Sequence, residues 1–154
     1  MLSNKHVIIA MVVAPILAVL AWIAVGQLTR EQPRAAVEGQ SYPLVEKSNC
    51  RYASGACDLE NESFKLRLTI QDGASGPEFL LSASHPLEGV VLAVAATGVE
   101  GTPLAMRALD GQGLSWLMPL QRTPRPTDRI RLVARADGSS FYAEASTAFL
   151  QPAQ

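Results

Sequence analysis

Nineteen consecutive residues near the start of the chain, Val7 to Val25, carry neither a charge nor a strongly hydrogen-bonding side chain. Because an α-helix rises about 1.5 Å per residue, a helix of this length spans about 28 Å, close to the roughly 30 Å hydrocarbon core of a bilayer. The run, VIIAMVVAPILAVLAWIAV, predicts a transmembrane helix over residues 7–26 that contacts membrane lipid through Val7 to Val25. Residues 1–6 are then a short leader.

A secretory signal peptide is the alternative interpretation, because it also begins with a short positively charged stretch before an apolar region. Cleavage would follow Gly26, where Ala24 and Val25 precede it as small or modest side chains. Apolar regions of signal peptides usually run about 7–15 residues, and this run is longer. Trp22 also lies where an interfacial anchor is expected. These features favour a retained anchor.

The two cysteines, Cys50 and Cys57, indicate on which side of the membrane the rest of the chain lies. Lys5 before the apolar run and Arg30 and Arg34 after it do not decide the orientation by charge. A matched cysteine pair around a small-residue turn is typical of a disulfide in an oxidising compartment. The C-x6-C spacing does not favour redox or zinc chemistry, for which C-x2-C is usual. We therefore predict a single-pass protein of a bacterial inner membrane with its C-terminal domain in the periplasm.

The remaining chain predicts a linker at residues 27–40, one β domain at residues 41–151 and a tail at residues 152–154. FKLRLTI (Phe64–Ile70) and RIRLVAR (Arg129–Arg135) alternate apolar and polar side chains, as half-buried strands do; Val133 is the exception, since it falls on the outer side. Other strands are predicted over 42–45, 78–84, 90–96, 104–109, 114–120 and 140–149.

The predicted strands suggest the class of the β domain. About seven or eight strands with turns near every ten residues, and no helical period after the linker, predict an all-β, immunoglobulin-like antiparallel sandwich. Residues 104–109 and 114–120 are expected to pair as a hairpin, and the segment around the cysteines is expected to be a loop. The cysteines are too close in sequence to form the inter-sheet bridge of an antibody domain.

Composition narrows the chemistry. The chain has 13 Lys and Arg, of which all but Lys5 follow the apolar run. The part after the run therefore has 12 basic and 14 acidic side chains. Nucleic-acid binding, which needs a basic surplus, is not expected. The domain has one histidine, His85, and no motif of a serine hydrolase, a zinc protease or a nucleotide-binding loop. We predict that the protein is not an enzyme; a hydrolase built around His85 is one alternative.

A copper site is the second alternative function. His85, Met106 and Met118 together offer imidazole and thioether ligands, which suit Cu(I). The simpler interpretation places both methionines in strands as core residues that fill gaps, and His85 in a loop before a proline. On that interpretation the domain needs no cofactor.

A basic, proline-rich loop is the candidate partner surface. Arg122, Arg125 and Arg129 lie in or beside QRTPRPTD, and proline would stiffen the backbone that presents them. Such a group can meet anionic lipid or an acidic partner, although a simply solvated loop has the same composition.

The order of a short leader, one apolar run and alternating strands such as FKLRLTI and RIRLVAR resembles the FixH-like and YtkA-like single-pass accessory proteins of bacterial envelopes. The resemblance is one of architecture and matches no ligand or catalytic motif. It implies assistance to a respiratory or metal-handling membrane complex. We therefore expect a non-enzymatic, membrane-anchored interaction module whose partner is another membrane or periplasmic protein.

Overall fold

The computed structural model describes residues 5–29 and 38–152. The chain divides into two compact units, Met1–Ala35 and Ala36–Gln154, and each is described by itself. The stretches outside the described residues hold most of the predicted linker and parts of the predicted leader and tail; they are 1–4, 30–37 and 153–154.

The N-terminal unit contains the helix α1 (Lys5–Thr29). Its stretch Lys5–Val25 is long and apolar enough to span a membrane. A helix over the predicted segment is therefore confirmed, with slightly wider bounds than 7–26, and its crossing of a membrane stays a prediction. Pro15 lies inside α1 without ending it, as is common in helices that are apolar on all sides.

The C-terminal unit is all-β, with two sheets. Its strands are β1 (Ser41–Pro43), β2 (Val45–Glu46), β3 (Ala56–Asn61), β4 (Phe64–Gly73), β5 (Gly76–Ala83), β6 (Gly89–Ala95), β7 (Leu104–Ala105), β8 (Arg107–Ala108), β9 (Ser115–Pro119), β10 (Arg129–Ala136) and β11 (Ser139–Ser146). Single turns of 3-10 helix lie at Ser48–Arg51 and Ala148–Leu150. The predicted all-β fold with one N-terminal helix is confirmed.

One sheet has five strands in the order β1-β11-β10-β6-β7, and the other has six in the order β2-β3-β4-β5-β9-β8. Neighbouring strands are antiparallel except β1 and β11, which are parallel. The eleven strands of the described residues exceed the predicted seven or eight because β3 was not predicted and because the predicted strands 42–45 and 104–109 are each divided into two short ones, β1 with β2 and β7 with β8.

The two sheets share one hydrophobic core. On β10 the buried side chains include Ile130 and Leu132, and the exposed ones are three arginines and Val133, as the alternation predicts. On β4, Leu66 and Leu68 are buried in the same way. The ring of Phe64 on β4 stacks on a phenylalanine of β11 with centroids 3.9 Å apart, which joins the sheets across the core.

Strand β3 was not predicted: its first two residues were assigned to the cysteine loop, and residues 58–61 were assigned to no element. It pairs with β4 along its whole length, with Cys57 and Leu59 buried and Asp58 and Glu60 turned outward. Only two apolar positions mark its period, and one of them is a cysteine, so the alternation was too short to stand out.

The predicted strand 104–109 is two strands in different sheets. Leu104 on β7 pairs with Leu92 on β6, whereas β8 pairs with β9. Met106, between them, donates its backbone N–H to the carbonyl of Val90 at 2.8 Å. The predicted hairpin is therefore right only for β8 and β9. The chain therefore crosses between the sheets at the level of Val90.

Candidate functional site

The structure does not bring His85, Met106 and Met118 into one metal site. The His85 ring stacks on Phe64, at the start of β4, with centroids 5.8 Å apart. The strand register places Met118 at the level of Ile70, six residues further along β4, or about 20 Å away. Both methionines are buried in the core. Among the described residues, no three His, Cys, Asp or Glu side chains cluster as metal ligands.

His85 has a serine beside it but no catalytic arrangement. The Oγ of Ser84 lies 2.8 Å from His85 Nδ1 and also accepts the backbone N–H of Lys65 at 2.9 Å. A serine–histidine hydrolase needs an acidic group on the second ring nitrogen and donors for the oxyanion. Within residues 38–152, no carboxylate is hydrogen-bonded to His85. The hydroxyl of Ser84 thus serves the contact between β4 and the end of β5.

The predicted disulfide between Cys50 and Cys57 is present. It links the 3-10 turn Ser48–Arg51 to β3, and both cysteines are fully buried. Asn49 beside it donates its side-chain amide to Asp58 at 2.9 Å. A fully enclosed disulfide of this kind stabilises the fold and is not placed for thiol exchange.

The predicted basic surface is largely paired. Arg122 Nη1 donates to Asp128 Oδ2 at 3.0 Å, and Arg129 Nε lies 3.3 Å from Glu144 Oε1. The backbone N–H of Arg125 donates to the same oxygen of Asp128 at 2.8 Å. The three arginines therefore do not form one unpaired basic patch, and Asp128, which the sequence did not single out, organises their loop.

Asp128 is 1% exposed and is the buried acid of this loop. Burial raises the pKa of its carboxyl, but the N–H of Arg125 and the guanidinium of Arg122 outweigh that effect and hold the pKa below its usual value. The Oγ1 of Thr147 lies 2.6 Å from the carbonyl oxygen of Arg125 and 2.9 Å from that of Asp128. The loop between β9 and β10 is thus fixed from inside the domain.

The outer face of the five-stranded sheet carries a row of apolar side chains. Val133 on β10 pairs with Tyr142 on β11 and with Val91 on β6, and these three are 46%, 47% and 40% exposed. The same register extends to Pro43 on β1 and Ala105 on β7. We call these five residues the apolar row. It crosses all five strands and follows one edge of a shallow groove of about 480 Å³.

Ion pairs border the apolar row on both sides. Two residues away along the strands, Arg131 lies 3.5 Å from Glu144 and 3.3 Å from Glu100. On the other side Arg135 lies 2.9 Å from Glu88. The row is therefore an apolar strip within a rim that carries both charges. Only the outward position of Val133 was visible in the sequence; the rest of the row needed the register.

A second concave feature, which we call the edge cleft, opens between the sheets beside β6 and β9. It has a volume of about 290 Å³, and its lining includes Val94, Thr102, Met118, Leu120 and Arg122. Its lining includes Met118, one of the residues considered for a copper site, and Arg122, one of the arginines of the predicted basic loop.

Comparisons of the chain with protein-family models, with curated proteins and with solved structures find no match.

Proposed function

We propose that this chain is a non-enzymatic, membrane-anchored envelope protein whose β domain docks onto another membrane or periplasmic protein. The observation that carries the proposal is the apolar row. Soluble domains rarely expose contiguous apolar strips, and those that do, within a polar rim, commonly use them for binding. Val133, Tyr142 and Val91 gain nothing for the core, because they face away from it.

The dimensions and chemistry of the row suit the centre of an interface. Four inter-strand spacings of about 4.8 Å give it a length of about 19 Å. Protein interfaces combine an apolar centre, often with tyrosine, and a polar rim. Because the rim holds Arg131 and Arg135 together with Glu88 and Glu144, the partner that fits is a protein surface with an apolar patch bordered by both charges.

The remaining features support an exported module. α1 supplies a membrane anchor, and the enclosed disulfide fits an oxidising compartment such as the periplasm. We propose that the domain is immunoglobulin-like. Its seven longer strands divide into four (β3, β4, β5, β9) and three (β6, β10, β11), the division usual in such sandwiches.

Site-specific photo-crosslinking in intact cells tests the docking proposal. The full-length chain would carry a photoreactive phenylalanine at position 133 and, as a matched control, at position 82, where Ser82 is an exposed outer residue of the six-stranded sheet. We expect a discrete protein adduct from position 133 and none from position 82. Equal adducts from both positions, or none from either, would contradict the proposal.

A disruptive substitution provides the second arm. Val133→Lys places a charge in the middle of the apolar row without touching the core, and Arg67→Glu changes charge on the other outer face. We expect Val133→Lys to abolish copurification of the crosslinked partner and Arg67→Glu to leave it unchanged. Retention of the partner by Val133→Lys would exclude the row as its binding surface.

A further inference from the structure

The edge cleft lies beyond the point where the chain crosses from one sheet to the other. The chain crosses from one sheet to the other at Met106, between β7 and β8, at the level of Val90. Beyond the crossing, the last residues of β6 and β9 face each other without a strand between them. Gly101 on the following loop lies so close to the carbonyl of Val94 that a β-carbon there would overlap it. The loop is thus seated against β6, which leaves the cleft open beside it.

The wall of the cleft is apolar and its mouth is polar. Val94, Met118 and Leu120 form the inner wall, and Met118 is almost completely buried. Thr102 and Arg122 stand at the solvent side and are exposed. An apolar wall beside a guanidinium suits a ligand with a hydrocarbon part and a single anionic head.

Arg122 contacts Asp128, but the turn that contains Asp128 does not depend on this contact. Asp128 already accepts the N–H of Arg125, and its own N–H donates to the carbonyl of Arg125 at 3.0 Å, so the turn is complete without Arg122. The ion pair with Arg122 uses only Nη1, which also lies 3.3 Å from the carbonyl of Thr123. Within residues 38–152, no hydrogen bond occupies Nε or Nη2 of Arg122. An ion pair whose arginine is half exposed adds little net stability, whereas a guanidinium with two nitrogens to spare suits the recognition of a carboxylate.

We infer that the edge cleft binds a small carboxylate with a linear apolar chain, of the medium-chain fatty acid class. The chain lies against Val94, Met118 and Leu120, and the carboxylate accepts hydrogen bonds from Arg122. The volume of about 290 Å³ is at the lower end of ligand pockets, which fits a short single chain and excludes a two-chain lipid.

Photoaffinity labelling of the full-length protein in native membranes tests the inference, because peptide mapping separates the cleft from bulk lipid. The probe is octanoate with a diazirine at its chain end. We expect labelled peptides from residues 92–104 and 115–122, with protection by free octanoate and not by octanol. Octanol protecting equally well would overturn the role of Arg122. Better protection by octyl phosphate would overturn the carboxylate assignment.

Two variants and one control locate the ligand. Arg122→Gln should weaken protection by octanoate about tenfold, the loss expected for one charge-assisted hydrogen bond. Thr102→Trp should abolish labelling by filling the mouth, and because Thr102 is exposed the fold does not depend on it. Thr127→Trp, at an exposed threonine outside the cleft, should change nothing. Labelling that survives Thr102→Trp in a protein with an unchanged unfolding temperature would overturn the site.

Discussion

The outer faces of the two sheets differ, although both sheets bury their inner faces in the same core. On the six-stranded sheet, Asp58 and Arg67 are directly paired across β3 and β4, with Nε–Oδ1 and Nη2–Oδ2 distances of 2.7 and 2.9 Å. This hydrogen bonding with Arg67 holds the pKa of Asp58 below its usual value. Glu60 beside them lies 3.1 Å from Lys47 and 3.8 Å from Lys65.

The five-stranded sheet presents the apolar row at the corresponding place. Its central pairs, Val133 with Tyr142 and Val133 with Val91, are hydrocarbon where the other sheet has ion pairs. Folding sets the inner faces, since both must fill one core, but it does not require an exposed apolar strip. The outer face of the smaller sheet is therefore the better candidate for a partner surface.

The largest predicted effect on the free energy of unfolding is a difference between substitutions on the two faces of β10. Leu132 is buried and Val133 is exposed on β10. Leu132→Ala should lower the free energy of unfolding by about 3 kcal/mol, because it leaves a cavity. Val133→Thr keeps the shape and should change it by less than about 0.5 kcal/mol. Urea unfolding of the full-length protein in detergent, followed by near-UV circular dichroism, measures both. Similar losses would mean that the outer face contributes to folding after all.

The disulfide tests whether the two outer faces depend on each other, because it is attached to β3 of the six-stranded sheet. Replacing Cys50 and Cys57 together by serine should cost about 2.5 kcal/mol, the chain-entropy value for a loop of about eight residues. The same urea measurement, with reduced and oxidised wild type as reference, checks it. Crosslinking from position 133 should persist under native conditions, and its loss would show that the two faces depend on each other.

Asp128 lies on the loop that joins β9 in one sheet to β10 in the other. Replacing it should lower the free energy of unfolding somewhat less than removing the disulfide does. Asp128→Asn should cost about 2 kcal/mol near neutral pH, because a buried charge-assisted network is lost. Since the pKa of Asp128 is lower in the folded state, its contribution is present above the usual aspartate pKa and is lost as pH falls below that value. Wild type should therefore lose more stability than Asp128→Asn between about pH 5 and pH 2. Parallel acid curves would contradict this assignment.

The exposed ion pair should have the smallest effect. Asp58→Asn breaks the contact with Arg67, whose side chain is 60% exposed, and should cost less than about 1 kcal/mol. The loss should shrink further in high salt, because solvent-exposed charges are screened. Thermal unfolding at low and high salt measures it. A larger, salt-independent loss would mean that this face is more than a solvated surface.

Alternation gave reliable predictions where each apolar position was filled. Strands β4 and β10 followed from FKLRLTI and RIRLVAR, and the disulfide followed from the cysteine pair. The division of residues 104–109 into two strands could not be predicted. The change of sheet at Met106 depends on β7 pairing with β6 and β8 pairing with β9, and not on the hydrophobic period of the segment. Beside it, Met106 and Met118 were rightly interpreted as core residues in the simpler of the two readings.

The candidate surfaces were much less visible. Val133 broke the alternation of its strand, but Val91 was hidden in an apolar run and Tyr142 in a mixed segment. They become neighbours only through pairing across three strands. The same applies to Asp128, whose burial depends on a fold that brings Thr147 against its loop. Long-range register carries this information, and a single sequence does not show it.

The parallel pairing of β1 with β11 joins the first strand of the domain to its last, about a hundred positions later in the chain. β11 also lies between β1 and β10, so it is an interior strand of its sheet. A ribosome must therefore have made nearly the whole β domain before β1 has a strand to pair with. A stop codon just after the turn at Gly138 would remove the middle of a sheet rather than a dispensable end, and should be as damaging as one placed far earlier.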